Sequence, residues 1–242
     1  MSLLRRLARP HRGSSEAGAS PPAAAKDPIV SLTFDDGVAS QRVAAELLAA
    51  RGFTGTFYVS SGLVGSKGYL GWDDLRALRE QGHEIGGHTR HHTHLPALTV
   101  DEARRQIESD RAALLERELD PVTFAYPYGE SSAEVRSIVR EAGYIAARGV
   151  GGVVESLPPE DPFRLRSPHS ARTWTTSEHL TALVLVGAHE AGWMIVPFHH
   201  FEANGPAAST YTTEPSRFAE FLDWLVARAV RVSRVRDVMA DA

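Results

Sequence analysis

The sequence predicts an α/β fold, a distorted or incomplete (β/α)7-8 barrel of parallel strands with its active site at the C-terminal strand ends. From Pro28 onward, short apolar runs of strand type alternate with stretches of helical periodicity. Such alternation is typical of a parallel sheet, either open or closed into a barrel. In addition, polar residues suited to metal binding and acid–base chemistry come at or just after the predicted strand ends. In an α/β barrel those ends share one face, where sites are built.

The strands are predicted from short runs rich in β-branched and aromatic residues that end in polar residues or turns. The sequence from Ile29 to Phe34 is the clearest example, and Trp193 to Phe198 is the last strongly apolar one. The predicted strands are 29–34, 56–59, 84–89, 122–126, 144–147, 163–166, 193–198 and, at the C-terminus, 229–235.

The helices between them are predicted from apolar spacing and from their end signals. Ser40 precedes the first helix and Gly52 ends it, as glycine commonly does. Thr99 and Glu102 form a capping-box pattern at the start of a long helix. Pro215 suits the first turn of the last major helix. The remaining helices are predicted at 72–81, from Ser131 or Ser132 to Gly143, and at about 176–190.

The composition is that of an ordinary globular protein. The 242 residues are 43% hydrophobic and 23% charged, and the net charge is −4. A slightly acidic chain has no basic field that would attract nucleic acid, so no nucleic-acid partner is predicted. The absence of cysteine excludes disulfides, thiolate metal sites and a cysteine nucleophile.

Residues 1–27 differ from the rest, and the catalytic domain is predicted at 28–242. The first segment is basic at its start and then rich in Gly, Ser, Ala and Pro, so a disordered leader is expected. It lacks the apolar core of a secretory signal, and no stretch approaches the ~20 apolar residues of a transmembrane helix. The localisation stays open: cytoplasmic as written, extracytoplasmic if the start is mis-assigned.

A metal site is predicted from two clusters at strand ends. Asp35 and Asp36 follow the first strand, so their side chains are expected on different sides of the backbone. His88 and His92 follow the third strand. Asp36, His88 and His92 would offer one carboxylate and two imidazoles, a set that suits Zn²⁺ and also Co²⁺, Ni²⁺, Mn²⁺ or Fe²⁺. The alternative for the aspartates is helix capping.

Further polar and aromatic residues are candidates for the site or for the core. Tyr128 and His199 also lie at predicted strand ends. His83 begins a strand and is interpreted as a buried, hydrogen-bonded core histidine. Trp174, in a polar loop, is the best candidate to stack on a sugar ring; the weaker candidates are Trp72, Tyr126, Tyr128 and Phe201.

Four segments resemble the ordered motifs of the polysaccharide deacetylases, the NodB-homology family or carbohydrate esterase family 4. These segments are TFDDG at 33–37, GHEIGGHTRHH at 82–92, FAYPYG at 124–129 and the pair Phe198-His199. The resemblance covers about residues 28–240, and the first two motifs together are highly specific. It implies a distorted (β/α) barrel and hydrolysis of an acetamide or acetate ester.

The resemblance also implies a role for each matching residue. Asp35 matches the general base and His199 the general acid. Asp36, His88 and His92 match the metal ligands, with Zn²⁺ expected and Co²⁺, Ni²⁺ or Mn²⁺ as alternatives. Tyr128 matches the residue whose backbone N–H contributes to the oxyanion hole.

The chain departs from the family pattern at one catalytic position. Many members carry an arginine in the third motif that orients the catalytic aspartate, and this chain has Ala125 there. Arg166 is the predicted replacement, and Arg164 is the second choice. The Asp-x-x-Asp-Trp motif of the family is not evident either, so a different substrate cleft is expected.

The leading functional hypothesis is a metal-dependent deacetylase acting on an N-acetylated or O-acetylated glycan. A hydrolase of a small non-peptide amide is the alternative within the same family. A non-haem iron oxygenase also uses two histidines and a carboxylate, although the alternating βα pattern speaks against it. A non-catalytic glycan-binding descendant is the last alternative. The oligomeric state is left open.

Overall fold

The computed structural model describes residues 28–190, 192–202 and 209–242. The predicted leader at 1–27 lies outside these residues. The strands are β1 (Ile29–Phe34), β2 (Thr56–Val59), β3 (Glu84–Gly87), β4 (Thr123–Ala125), β5 (Ala146–Arg148), β6 (Trp193–Phe198), β7 (His200–Phe201), β8 (Thr212–Thr213) and β9 (Arg231–Val232). The α-helices are α1 (Gln41–Ala49), α2 (Trp72–Glu80), α3 (Val100–Leu115), α4 (Ala133–Glu141), α5 (Ser177–His189), α6 (Pro215–Ala227) and α7 (Val235–Asp241).

The main sheet is parallel throughout and has the order β5-β4-β3-β2-β1-β6. Each connection between consecutive strands from β1 to β6 carries a helix, as parallel strands require. The predicted α/β fold, a distorted and incomplete barrel, is therefore confirmed.

Strand β1 is the centre of the sheet. Strand β6 pairs with its whole length, from Ile29 opposite Trp193 to Phe34 opposite Phe198. The other edge of β1 is shared, because β9 pairs with Ile29 and Val30 whereas β2 pairs with Thr33 and Phe34. The C-terminal end of β1 is thus held between β2 and β6.

The sheet is open between β5 and β6, and the segment 149–171 lies across the opening. A single parallel bridge joins Leu165 to Arg148, and a single antiparallel bridge joins Glu155 to Trp193. The predicted strand at 163–166 is wrong, since Pro162–Arg164 forms a 3-10 turn. Its proline has a fixed φ and no N–H for a ladder, which favours a turn over a strand.

The C-terminal region also differs from the prediction. The predicted strand at 229–235 is reduced to Arg231–Val232, and the short helix α7 begins at Val235. The first N–H groups of α7 are bound by distant side chains: Val235 N donates to Thr56 Oγ1 at 3.1 Å and Arg236 N donates to Glu84 Oε2 at 3.0 Å. These acceptors belong to strands β2 and β3. The sequence at the start of α7 therefore contains no capping residue from which the helix could be predicted.

An aromatic cluster fills the core directly beneath the C-terminal end of β1. Phe34 stacks on Phe57 at 4.5 Å between ring centroids, and Phe198 meets Phe218 at 4.9 Å. All four rings are fully buried. Burial of one such side chain stabilises the fold by about 1.5–3 kcal/mol, so the strand ends that carry the polar residues rest on a rigid base.

None of the helices within the described residues combines the length and the apolar character needed to cross a membrane.

Candidate active site

The C-terminal ends of the strands surround a cavity of about 210 Å³. Asp35 and Asp36 follow β1, and His199 follows β6. The predicted metal ligands and the predicted catalytic residues Asp35, Tyr128 and His199 line this cavity, whereas Arg166 does not. The lining residues used below are Asp35, Asp36, His88, His92, Tyr128, Arg148, His169, His199 and Tyr211.

Asp36, His88 and His92 converge as the sequence predicts. Their ligand-type atoms all lie within 4.8 Å of one another. The Nε2 atoms of His88 and His92 lie 3.3 and 3.1 Å from Asp36 Oδ1. Neither contact has hydrogen-bond geometry, and the buried Oδ1 has no hydrogen-bond partner among the described residues. A buried oxygen faced by two imidazole nitrogens fits the coordination of a divalent cation.

The tautomer of His88 follows from its second ring nitrogen. Nδ1 lies 2.7 Å from the Ala125 carbonyl oxygen, which can only accept a hydrogen bond. The proton is therefore assigned to Nδ1, and Nε2 keeps its lone pair toward the convergent point. Such an outer hydrogen bond both orients a metal ligand and increases its basicity.

Asp110, on α3, supports the same ligand through the backbone. It is fully buried, and its two oxygens accept from Ser61 N at 2.8 Å and His88 N at 3.1 Å. Burial raises its pKa to about 6. Asp110 can reach the His88 backbone because the preceding residue, Gly87, has no side chain. A Cβ at position 87 would lie 2.1 Å from Tyr144 Oη and 3.0 Å from Asp110 Oδ2.

Several residues around the cavity have a left-handed backbone. The φ angles are +75° at Asp36, +64° at Thr89, +52° at His92 and +60° at Tyr128. Such values are rare for non-glycine residues and are unfavourable for a β-branched one. At Gly37, φ is +71° and a Cβ would lie 2.9 Å from Val59 Cγ1, so glycine is required there.

The charge state of Asp36 reflects two opposing effects. Burial raises the pKa of this carboxyl, but the adjacent His88 and His92 rings lower it by more, and the net shift is downward. The group is thus a carboxylate at neutral pH, the form that binds a cation.

Asp35 is held by Arg148. The guanidinium Nη2 lies 2.6 and 2.5 Å from the two carboxylate oxygens, and both side chains are almost fully buried. Burial raises the pKa of Asp35, whereas the cation of Arg148 and the neighbouring histidines lower it, with a net downward shift. Asp35 is therefore ionised and able to accept a proton.

The prediction that Arg166 orients Asp35 is wrong. The Arg166 guanidinium binds Glu155 at 3.2 Å and its backbone N donates to the same carboxylate at 2.7 Å. Arg164, the second choice, is an exposed residue of the 3-10 turn. Both arginines lie in the segment across the sheet opening, whereas Arg148 ends β5 and points into the barrel.

His199 faces Asp35 from the end of β6. Its Nε2 lies 3.9 Å from Asp35 Oδ2, and its Nδ1 has no hydrogen-bond partner among the described residues. Burial lowers the pKa of His199, while the two aspartates partly oppose the shift. A protonated His199 is therefore a stronger acid than free imidazolium and gives up its proton readily.

Gln41, the first residue of α1, joins the two facing strand ends. Its Nε2 donates to the Asp35 carbonyl oxygen at 2.5 Å and to the His199 carbonyl oxygen at 3.1 Å. The side chain is fully buried. The Gln41 amide thus adds to the backbone hydrogen bond from Asp35 N to Phe198 O in holding the Asp35 and His199 backbones together.

Tyr128 lies in a 3-10 turn, Pro127–Gly129, at the rim of the cavity. The neighbouring Gly129 N donates to Tyr126 O at 2.9 Å, but the Tyr128 N–H donates to no described residue. A free backbone donor at a cavity wall has the chemistry expected of an oxyanion-hole group.

His83 is a core residue, as the sequence analysis predicts. It is 3% exposed, and its Nδ1 accepts from Gly55 N at 3.0 Å. Its ring packs edge-on against Phe57 with centroids 5.1 Å apart. It does not line the site.

Sequence reasoning missed Arg148, Gln41 and Asp110. Arg148 directly follows the predicted strand at 144–147, so the strand-end rule that selects Asp35, Asp36 and His199 applies to it as well. The predicted replacement, Arg166, lies in a later segment that does not end a strand of the sheet. Gln41 and Asp110 contact backbone groups far along the chain, and no sequence signal marks them.

The family model of polysaccharide deacetylases matches residues 23–147, more than half of the chain. Among solved structures, a putative polysaccharide deacetylase from Mycobacterium smegmatis has a TM-score of 0.69 at 17% identity and covers 94% of each chain. The Streptococcus pyogenes deacetylase PplD, in complex with acetate, has a TM-score of 0.60 at 21% identity, covering 68% of this chain and 73% of that one. BA3943 from Bacillus anthracis, a CE4 family pseudoenzyme, has a TM-score of 0.61 at 16% identity, covering 88% of this chain and 66% of that one. A search of curated proteins found no match to the chain.

A curled parallel sheet with polar side chains gathered at its C-terminal strand ends defines an incomplete (β/α) barrel of the type that carries its sites on that face. The chain belongs to the polysaccharide deacetylase family, as the family match shows.

Proposed function

We propose that the protein is a divalent-metal-dependent hydrolase that removes acetyl groups from an N-acetylated or O-acetylated glycan. One observation carries the proposal: Asp36, His88 and His92 converge within 4.8 Å beside Asp35, which faces His199 across the same cavity. A metal-ligand set and an acid–base pair are thus available to one substrate group.

Asp36, His88 and His92 would hold the ion, with Zn²⁺ expected and Co²⁺, Ni²⁺ or Mn²⁺ as alternatives. The bound ion would supply Lewis-acid polarisation and acidify a coordinated water. The orphaned Asp36 Oδ1 and the lone pair of His88 Nε2 support this ligand set.

The remaining steps use residues of the chain. Asp35, kept ionised beside Arg148, accepts a proton from the attacking water. The Tyr128 N–H donates to the oxyanion that develops on the acetyl carbonyl, and such a donor is typically worth about 10²–10³ in rate. His199 gives a proton to the departing amine or alcohol.

The proposal is tested by acetate release. Metal-stripped protein is reloaded with each of the four ions and assayed on N-acetylglucosamine oligomers, peptidoglycan fragments and acetylated xylan. Asp36→Ala should lose both metal binding and turnover. Asp73→Ala is the matched control, since the Asp73 side chain is 96% exposed and pairs only with Arg76 among the described residues.

Retained turnover in Asp36→Ala, with no bound metal, would contradict the proposal. Metal binding without acetate release from any glycan would favour the small-amide hydrolase, and assays on small acetamides would then follow. The parallel α/β sheet speaks against the non-haem iron oxygenase.

A further inference from the structure

A row of ring contacts leads from the cavity toward solvent. Tyr211 lines the cavity, and its ring centroid lies 5.3 Å from that of His199. The guanidinium carbon of Arg172 lies 5.0 Å from the Tyr211 ring and 5.1 Å from the Trp174 ring. Trp174 is 59% exposed. The Arg172 cation therefore contacts two aromatic rings, and one of them, Tyr211, also contacts the proposed general acid.

The loop that carries Arg172 is fixed at several points. Ala171 N donates to Pro197 O and Thr173 N donates to Thr210 O, both at 3.0 Å. Arg217, on α6, donates to Thr173 O at 3.0 Å. The loop is thus bound to β6, to the residues that precede Tyr211, and to a helix, so the cation is positioned before any ligand arrives.

The Arg172 guanidinium has no carboxylate partner and no hydrogen-bond acceptor among the described residues. The hydrogen bonds of Arg172 are made by its backbone: its N donates to Thr175 Oγ1 and its O accepts from Thr175 N. The neighbouring Arg217 is different, because it also pairs with Glu214 at 3.1 Å. Both rings contact this group, and the N–H donors along its planar edge have no acceptor among the described residues. That edge matches a carboxylate, which guanidinium binds in a planar, two-point manner.

We propose that Arg172, Trp174 and Tyr211 form a subsite beside the reaction cavity that binds a carboxylate-bearing sugar residue of the substrate glycan. This inference rests on the proposed function, because it places the acetylated sugar in the neighbouring cavity. The exposed Trp174 ring offers an apolar surface to the sugar, and Tyr211 joins this surface to the reaction cavity. A single unpaired guanidinium, with the Arg217 charge neutralised by Glu214, matches a monoanionic carboxylate better than a phosphate monoester.

The test compares one glycan with and without its carboxylates. The probe is an oligomer that alternates N-acetylglucosamine and N-acetylmuramic acid, and its partner is the same oligomer after reduction of the lactyl carboxyls. The protein should show a KM at least about tenfold lower for the carboxylated oligomer. Arg172→Gln should raise the KM for the carboxylated oligomer to the value for the reduced oligomer. Trp174→Ala should raise the KM values for both oligomers.

Arg228→Gln is the matched control. Arg228 lies 5.1 Å from the Trp224 ring at the C-terminal end of α6, at the end of the barrel opposite the cavity. This variant should keep the full preference. Equal KM values for the two oligomers in the unmodified protein, or a preference that survives Arg172→Gln, would overturn the inference.

Binding separates the two proposals. Calorimetry with the same oligomers reports the subsite without turnover. Selective binding that Arg172→Gln removes would support the subsite even if no acetate is released, and the proposed function alone would fail. Acetate release with equal affinity for both oligomers would refute the subsite alone. Circular dichroism and thermal unfolding confirm that each variant is folded.

Discussion

A single nitrogen of Arg148, Nη2, contacts both carboxylate oxygens of Asp35, and the two residues are supplied by strands β5 and β1. These strands are separated by β4, β3 and β2 in the sheet, so the contact crosses the interior of the half-barrel. Asp35, the proposed general base, is therefore kept charged and oriented by a residue 113 positions away in the chain.

Replacing Arg148 with methionine should raise the pKa of Asp35, because burial then acts without the opposing cation. Less of the carboxylate form would be present at any acidic pH. The acid limb of the kcat/KM profile should therefore move to higher pH, and unfolding should become easier by about 3–5 kcal/mol. A pH–rate profile and urea unfolding measure both effects.

Arg166→Met is the control for this substitution, because the Arg166 guanidinium binds Glu155 and not Asp35. Its acid limb should stay where it is. An unmoved limb in Arg148→Met, or a moved limb in Arg166→Met, would contradict the assignment.

Gln41→Leu should lower both stability and kcat. Leucine has a similar size but donates no hydrogen bond to the Asp35 and His199 carbonyls. A buried acceptor left without a partner costs about 1–3 kcal/mol, and the Asp35 and His199 backbones lose one of the hydrogen bonds that hold them together. Urea unfolding and turnover are measured, with the exposed Gln81→Leu as control. Unchanged kcat in a destabilised Gln41→Leu would mean that Gln41 is merely structural.

Asp110→Asn should weaken metal binding. The amide keeps one oxygen, but its NH₂ group faces a second backbone N–H, either Ser61 or His88, that needs an acceptor. Loss of such outer support typically reduces metal affinity by about 10–100-fold. Calorimetric titration with Zn²⁺ measures it. Glu108→Gln, on the exposed side of the same helix, should bind as the unmodified protein does; equal affinities for the two variants would argue against the role of Asp110.

His83 should make the free energy of unfolding depend on pH in the acidic range. Burial, with a smaller effect of Arg234, lowers its pKa from 6.5 to about 4. The folded state thus favours the neutral ring, and the unfolded state binds the proton first as the pH falls. The contribution of His83 to the free energy of unfolding is therefore fully present above pH 6.5. The free energy of unfolding decreases by about 3 kcal/mol as the pH falls from 6.5 to 4.

His83→Asn checks this prediction, because the asparagine oxygen can accept the Gly55 N–H without titrating. The free energy of unfolding is measured from pH 7 to pH 4 for both proteins. The variant should lose less stability over this range. Parallel curves would show that another group whose pKa is lowered on folding, such as His199, accounts for the loss of stability in acid.

Local sequence determined much of the sheet. The observed bounds of β1, β2 and β6 coincide with the predicted strands, because each is an apolar run ended by polar residues or a turn. The strand-end rule also located Asp36, His88 and His92, which the structure brings together. Parallel strands deliver their ends to one face whatever the details of packing.

The errors have a common physical origin in contacts between distant parts of the chain. Helix α7 is capped by Thr56 and Glu84 from other strands, so its own sequence carries no start signal. The choice between Arg148 and Arg166 depends on which segment lies inside the barrel and which crosses its opening. Neither feature has a periodicity that a single sequence displays.

The left-handed backbone at Thr89, His92, Tyr128 and Asp36 has an evolutionary consequence. Each such residue costs of order 1–3 kcal/mol, and glycine relieves that cost. Selection for thermal stability alone would therefore favour glycine at these positions. A lineage freed from selection for catalysis would gain stability from such glycines while it lost the proposed metal ligands Asp36 and His92, so the site would be lost before the barrel fold.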